Sequence, residues 1–234
     1  MALVVLRIVL YGLAAIAAGV AAGKFAWWRE HVGRAWALFS LEFLLLLVNF
    51  ILRRTAPGAV LALQGTLIAA NLAQIAAYWL MARVLAAAGI GYLISPLKRL
   101  LLTVAALAVA VLLSHASLLA EWQALRSGHV QAGSLVSVLA DVITFTLIAP
   151  LAMSAVALRG GQLSRIFGLL TFSVAGWMIN TGATSIAAMF GGGDAVRISL
   201  LTGGIAIATL CNAAAAATQS LAARRALKGS SVHA

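Results

Sequence analysis

"LVSVLADVITFTLIAPLAM", residues 135–153, is apolar almost throughout and carries one ionisable side chain, Asp141. Eighteen or more such residues coiled as a helix cross roughly 30 Å of hydrocarbon. The same reading extends outward. Residues 55–82, 100–120, 166–193 and 198–223 contain no Lys, Arg, Asp or Glu, and the chain is 64% hydrophobic with 9% charged residues. Its mean hydropathy of +1.08 lies far from that of a water-soluble domain. Inside lipid the backbone must bond to itself, so these stretches are helices. A β-barrel would need short alternating segments, and none alternates.

The expected fold is therefore an all-α polytopic integral membrane protein, with seven transmembrane helices in one bundle. The spans fall at about 3–24, 35–53, 59–82, 100–119, 132–156, 166–187 and 198–219. Residues 1–223 form the transmembrane domain and 224–234 a short cytoplasmic tail, in which "KGSSVHA" reads as a disordered end that takes His233 away from any chemistry. "RVLAAAGIGYLISP" reads as an extension of the third helix towards Gly89 or Gly91, ended by Ser95–Pro96.

The formal charge of +11 does not indicate nucleic acid, because the cations are scattered among short connections. They sort by topology instead. One side holds Arg7, Arg53, Arg54, Arg126 and Arg197, five in all. The other holds Lys24, Arg29, Arg34, Arg83, Lys98, Arg99, Arg159, Arg165, Arg224, Arg225 and Lys228, eleven in all. The Lys/Arg excess marks the cytoplasmic side, so the amino terminus is expected outside and the carboxyl terminus inside a bacterial inner (cytoplasmic) membrane. Reading the first span as a cleaved signal peptide would leave Lys24, Arg29 and Arg34 outside, against this bias. The basic face suits anionic lipid or a partner membrane protein. Trp27, Trp28, Trp36, Tyr78 and Trp79 read as an interfacial belt. Gly12, Gly19 and Gly23 read as a packing seam, within the protomer or in a homo-oligomer. Cys211, the one cysteine, excludes an internal disulfide and reads as a small buried residue.

Helical spacing then finds polar stripes. Gln64, Asn71, Gln74 and Tyr78 share a face of the third span, and Ser134, Ser137, Asp141 and Thr144 a face of the fifth. Ser173, Trp177, Asn180 and Thr184 do so on the sixth, Thr202, Thr209, Asn212 and Gln219 on the seventh, while Glu42 and Asn49 pair on the second. An amide or acid facing lipid loses hydrogen bonds at several kcal/mol, so five polar faces imply a common polar interior. Single amides commonly act only as glue between helices. A buried acid costs roughly 2.5–3.5 kcal/mol even on the lower scales and marks a pathway or relay. Glu42 has Arg34 and Arg83 as candidate partners.

The predicted ligand or ion pathway thus comprises Asp141, Glu42, Asn49, Asn71, Gln74, Asn180, Asn212 and His115. His115, at the outer end of the fourth span beside Ser114 and Ser117, would join Glu121 and His129 around an outward pocket with Asp141 at its floor. Pro150 frees backbone carbonyls and is expected to kink the fifth helix. "FGGGDAVR", residues 190–197, matches no phosphate-binding fingerprint and reads as a flexible external hairpin, a candidate lid.

Several chemistries are excluded or weakened. Residues 198–219 hold no lysine for a retinal Schiff base, and His115 has no partner for haem. No HExxH or histidine cluster suggests a metal, and no cofactor is expected. Adjacent Ser114 and His115 point in different directions on a helix and make no triad, which leaves an intramembrane enzyme the weakest reading. The leading expectation is a transport or channel protein for a small ligand or ion, with Asp141 as proton or cation partner. Its rival is a ligand-sensing or scaffold subunit acting through a partner. Polar groups continuous from Glu42 to Asp141 would favour translocation, and a pocket closed beneath Asp141 would favour sensing.

Overall fold

The computed structural model describes residues 2–26, 29–87, 95–128, 131–157 and 161–230. The described residues form α1 (Ala2–Lys24), α2 (His31–Thr55), α3 (Val60–Ala87), α4 (Pro96–Arg126), α5 (Ala132–Ala157), α6 (Gln162–Thr181), α7 (Ala183–Met189) and α8 (Asp194–Ser230), with no strand among them. All but α7 are long and apolar enough to cross a bilayer, so the protein is a polytopic all-α membrane protein with seven such helices. Large side chains such as Leu61, Leu101, Leu112 and Phe172 stay exposed on its outer surface, where lipid is the solvent.

The helices overrun the charge-free windows because those windows mark only the part in hydrocarbon; polar turns continue into the headgroup layer. α2 starts at His31 rather than 35, which puts Glu42 near the helix middle rather than close to one end. α4 starts at Pro96, a proline at the first helical position, where its missing N–H costs nothing. Ser95 caps it, accepting from the Lys98 N–H at 3.4 Å. α8 continues to Ser230, through the stretch expected as a tail. Trp27, Trp28, Gly89, Gly91, His129, Arg159 and His233 lie outside the described residues.

The sixth span is not one helix. α6 stops at Gly182, and the short α7 carries the chain on. A Cβ on Gly182 would stand 2.9 Å from Met178 O and 3.0 Å from Leu113 O, so only glycine lets the α4 backbone approach here. The expected hairpin shrinks too: residues 190–193 make the turn, and Asp194–Arg197 is the first turn of α8, with a 3.1 Å ion pair between its ends.

Six helices close a ring in the order α1, α2, α3, α5, α6, α8, with α8 returning to α1; α4 lies outside, packed on α5 and touching α6 and α7. The sequence explains the exclusion. α4 buries a single narrow row of small residues, Ala106, Ala110 and Ser114 at four-residue steps, and carries no acid or amide between Pro96 and Ala120. The α1 seam is made by alanines rather than glycines. Ala14, Ala15, Ala18, Ala21 and Ala22 are buried, whereas nothing stands within 4 Å of a Cβ on Gly12 or Gly23, and only Gly19 meets a neighbour, Ser40 Oγ at 3.2 Å. The tightest approach joins α6 to α8. A Cβ on Gly176 would lie 2.6 Å from Ala208 N, and one on Gly204 would lie 2.7 Å from Gly176 O.

At the face where α1 ends, the ring is filled by a core that includes Trp36, Phe39, Tyr78, Ile148, Ile166 and Leu170. Trp36 and Phe39 ring centroids lie 5.4 Å apart, and Phe39 meets Tyr78 edge-on at 4.9 Å. Trp36 and Tyr78 therefore belong to the core and not to an interfacial belt: their inward helical positions outweigh the aromatic preference for the interface. Trp79 remains exposed, with the Arg83 guanidinium 5.0 Å from its ring centroid. α5 runs unbroken through Pro150, and Cys211 is half-buried on α8.

Candidate functional site

At the opposite face, where α1, α3, α5 and α8 begin and α2 and α6 end, the ring opens into a cavity of about 460 Å³. Arg7, Arg53 and Arg197 occupy its mouth, each within a turn or two of a helix end. Tyr11, Phe50 and Trp177 wall it, with Asn49, Ser134, Ser137, Asn180 and Thr181 as polar lining. Beneath lies a second cavity of about 40 Å³ lined by Glu42, Asn71, Gln74 and Asp141. Leu46, Ser137, Trp177 and Asn180 border both, so the lower cavity is the floor of the upper. By helical rise Asp141, nine residues past Ala132, lies about 13 Å in, and Glu42, thirteen residues before Thr55, about 20 Å in.

Five acidic residues occur in the whole chain, and two of them meet at this floor. Asp141 Oδ2 accepts from Thr181 Oγ1, a bond from α5 to α6. Glu42 is 2% exposed and its Oε2 has no hydrogen-bond partner. Asp141 acts electrostatically on Glu42, and Gln74 lies beside Asp141. Below them Gln74, Tyr78 and Asn212 are buried as well, Gln74 facing Asp141 and Tyr78 facing Ser173 and Asn212. An unpaired buried polar atom costs about 1–3 kcal/mol, and such atoms are few in folded proteins. Glu42, Asn71, Gln74, Asp141 and Asn212 thus gather buried polar groups inside the ring. Among the described residues no three His, Cys, Asp or Glu side chains converge, so the acids stand as a pair.

The other predicted residues divide. Asn49 ties α2 to α3, with Nδ2 donating to Leu63 O at 2.7 Å and to Thr66 Oγ1 at 2.8 Å; its Oδ1 accepts from Arg53 Nε at 3.0 Å. It thereby aims an arginine at the vestibule. Asn180 donates to Leu201 O at 3.0 Å, joining α6 to α8, and borders both cavities. Asn71 bonds within its own helix, to Leu67 O at 2.7 Å, while lining the floor. Asn212 is buried deeper, on α8.

His115 is not brought to the site. It is exposed on α4, outside the ring, with Nδ1 2.8 Å from Leu112 O of its own helix. Ser117, two residues on and nearly half a turn round, faces inward and donates to Thr181 O at 2.9 Å. Glu121 does not line the cavity itself but accepts from Ser134 Oγ, which does. Arg83, a proposed partner of Glu42, is exposed and lies over Trp79.

Sequence reasoning missed the three arginines and Tyr11 as site residues. Arg7, Arg53 and Arg197 served only to count charge across the membrane. The available signal was that all three fall on the cation-poor side, and that Tyr11 follows Arg7 by four residues on one helix face. No family model, no curated protein and no solved structure matches this chain.

Proposed function

We propose that the protein moves a small ligand across the bilayer through this vestibule, with Asp141 and Glu42 exchanging protons in the course of transport. The observation that carries the reading is continuity: polar groups run from the arginine mouth through Asp141 to Glu42 and on to Gln74, Tyr78 and Asn212. Two carboxylates in so small a space repel, and a proton held on one removes the repulsion. Thr181 and Ser137 link the pair to the vestibule, which supplies that proton. The Lys/Arg count supports a vestibule on the outer side of the membrane. The aromatic core below is then the closed side of an alternating-access cycle.

The test is flux into liposomes carrying purified protein under an imposed proton gradient, for parent and Asp141→Asn. Proton-driven flux that falls to the level of empty liposomes in a folded Asp141→Asn variant is the expected outcome. Equal flux in both would remove Asp141 from the mechanism. The full burial of Trp36, Phe39 and Tyr78 supports a second reading, a sensing subunit whose pocket never opens inward. Ligand binding with no flux of any candidate would select it.

A further inference from the structure

The charges around the vestibule are unbalanced. Asp194 pairs with Arg197, Glu121 receives Ser134, Glu30 sits at the opposite end of α2, and Glu42 and Asp141 lie at the floor. Among the described residues, no carboxylate is ion-paired with Arg7 or Arg53. Arg7 and Arg53 line the same vestibule as Tyr11 and Phe50. Arg53 is held through Nε by Asn49, which leaves its terminal nitrogens unused by that bond. Arg7 lies 5.7 Å from the centroid of Phe50, over its ring. Guanidinium groups stay charged at any physiological pH and match planar or tetrahedral oxyanions with paired donors.

Space divides the site in the same sense. The upper cavity, about 460 Å³, falls in the range of small-molecule sites, roughly 300–1,000 Å³. The lower one, about 40 Å³, accommodates water-sized species but not the body of a ligand. From this placement, and resting on the transport reading above, we infer that the ligand is a small organic anion. Arg7 and Arg53 hold its carboxylate or phosphate group, Phe50, Tyr11 and Trp177 receive its apolar part, and the acid pair beneath is kept for the proton. Loading a monoanion at the mouth together with one proton at the floor brings no net charge into the bilayer, which gives the coupling its physical basis; a phosphate monoester, close to doubly charged near neutral pH, needs a second proton.

Calorimetry on the purified full chain in neutral detergent tests this with three probes that share a ring: benzoate, phenyl phosphate and benzylamine. Benzoate or phenyl phosphate is expected to bind and benzylamine not to. Arg7→Gln and Arg53→Gln should each weaken anion binding about tenfold or more, the scale of one lost charge-assisted bond. Arg126→Gln, a cation of the same face that lies over Trp122 outside the vestibule, should leave it unchanged. Benzylamine binding as tightly as benzoate, or vestibule variants that bind like the parent, would overturn the inference; so would a parent that binds neither anion. Should the arginine variants fail to fold, the parent's choice between benzoate and benzylamine decides alone. A lipid headgroup offers the same chemistry, so the titration is repeated in nanodiscs of phosphatidylcholine with and without phosphatidylglycerol. Displacement of benzoate by phosphatidylglycerol would assign the site to lipid and overturn a soluble ligand. Binding without flux would keep this inference and remove transport, whereas proton-driven flux of a cation without anion binding would do the reverse.

Discussion

Towards the face where α1 begins, the ring axis is lined by Arg7, Asn49, Ser134, Ser137 and Asn180 and stays open. Towards the other face α2, α3 and α6 place Trp36, Phe39, Tyr78, Ile166 and Leu170 inside the ring, each under 2% exposed. Large side chains at the inward positions fill the second half, while smaller polar ones leave the first half open. The two acids lie at the boundary, where the open half narrows to a space of about 40 Å³.

The hardest blow to this contrast is Phe39→Ala. Losing a fully buried ring from the sealed half costs about 3–5 kcal/mol, and thermal melting of the purified protein should fall accordingly. Passive leak of small solutes through the variant in liposomes should rise; an unchanged melt with no leak would mean the seal lies elsewhere. Next is Gly176→Ala, which forces α6 away from Ala208 and Gly204 and should destabilise by about 1–3 kcal/mol, as overpacking does. Gly168→Ala, with nothing within 4 Å of the added Cβ, is the matched control and should melt no lower than the parent. A common effect of both would discredit the α6–α8 contact as the wall of the vestibule.

Asn49→Ala acts on the open half. It removes two bonds to α3 and the one that orients Arg53, with an expected cost of about 1–3 kcal/mol. Affinity for benzoate should fall as well, since Arg53 loses its support; a drop in stability with benzoate binding untouched would separate the glue from the site. Smallest of all is His115→Ala, expected within about 0.5 kcal/mol of the parent and with parental flux. A loss of flux there would show that His115 acts on the pathway from outside the ring.

Much of the fold was legible because the bilayer enforces it. The long charge-free runs gave seven crossing helices, and the three- and four-residue steps of Asn71, Gln74 and Tyr78 marked an inward face before any packing was known. The burial of Glu42, Asp141 and Asn212 follows from the same periodicity. The ends of helices were less legible, since hydropathy senses only the hydrocarbon layer and α2, α4 and α8 run past it. The break at Gly182 was invisible, because it answers to the backbone of Leu113, far away in sequence.

What the sequence by itself determined is therefore local and solvent-driven: which segments are helices, how many cross, and which face of each must leave lipid. Neighbourhood was decided only by the tertiary structure. The closure of α1, α2, α3, α5, α6 and α8 into a ring put Glu42 beside Asp141, gathered Arg7, Arg53 and Arg197 at one mouth, and left His115 outside. Periodicity fixes the direction of a side chain relative to its own helix axis, but it carries no information about which helix stands opposite. That choice rests on contacts such as Gly176 against Gly204, between residues that no sequence window holds together.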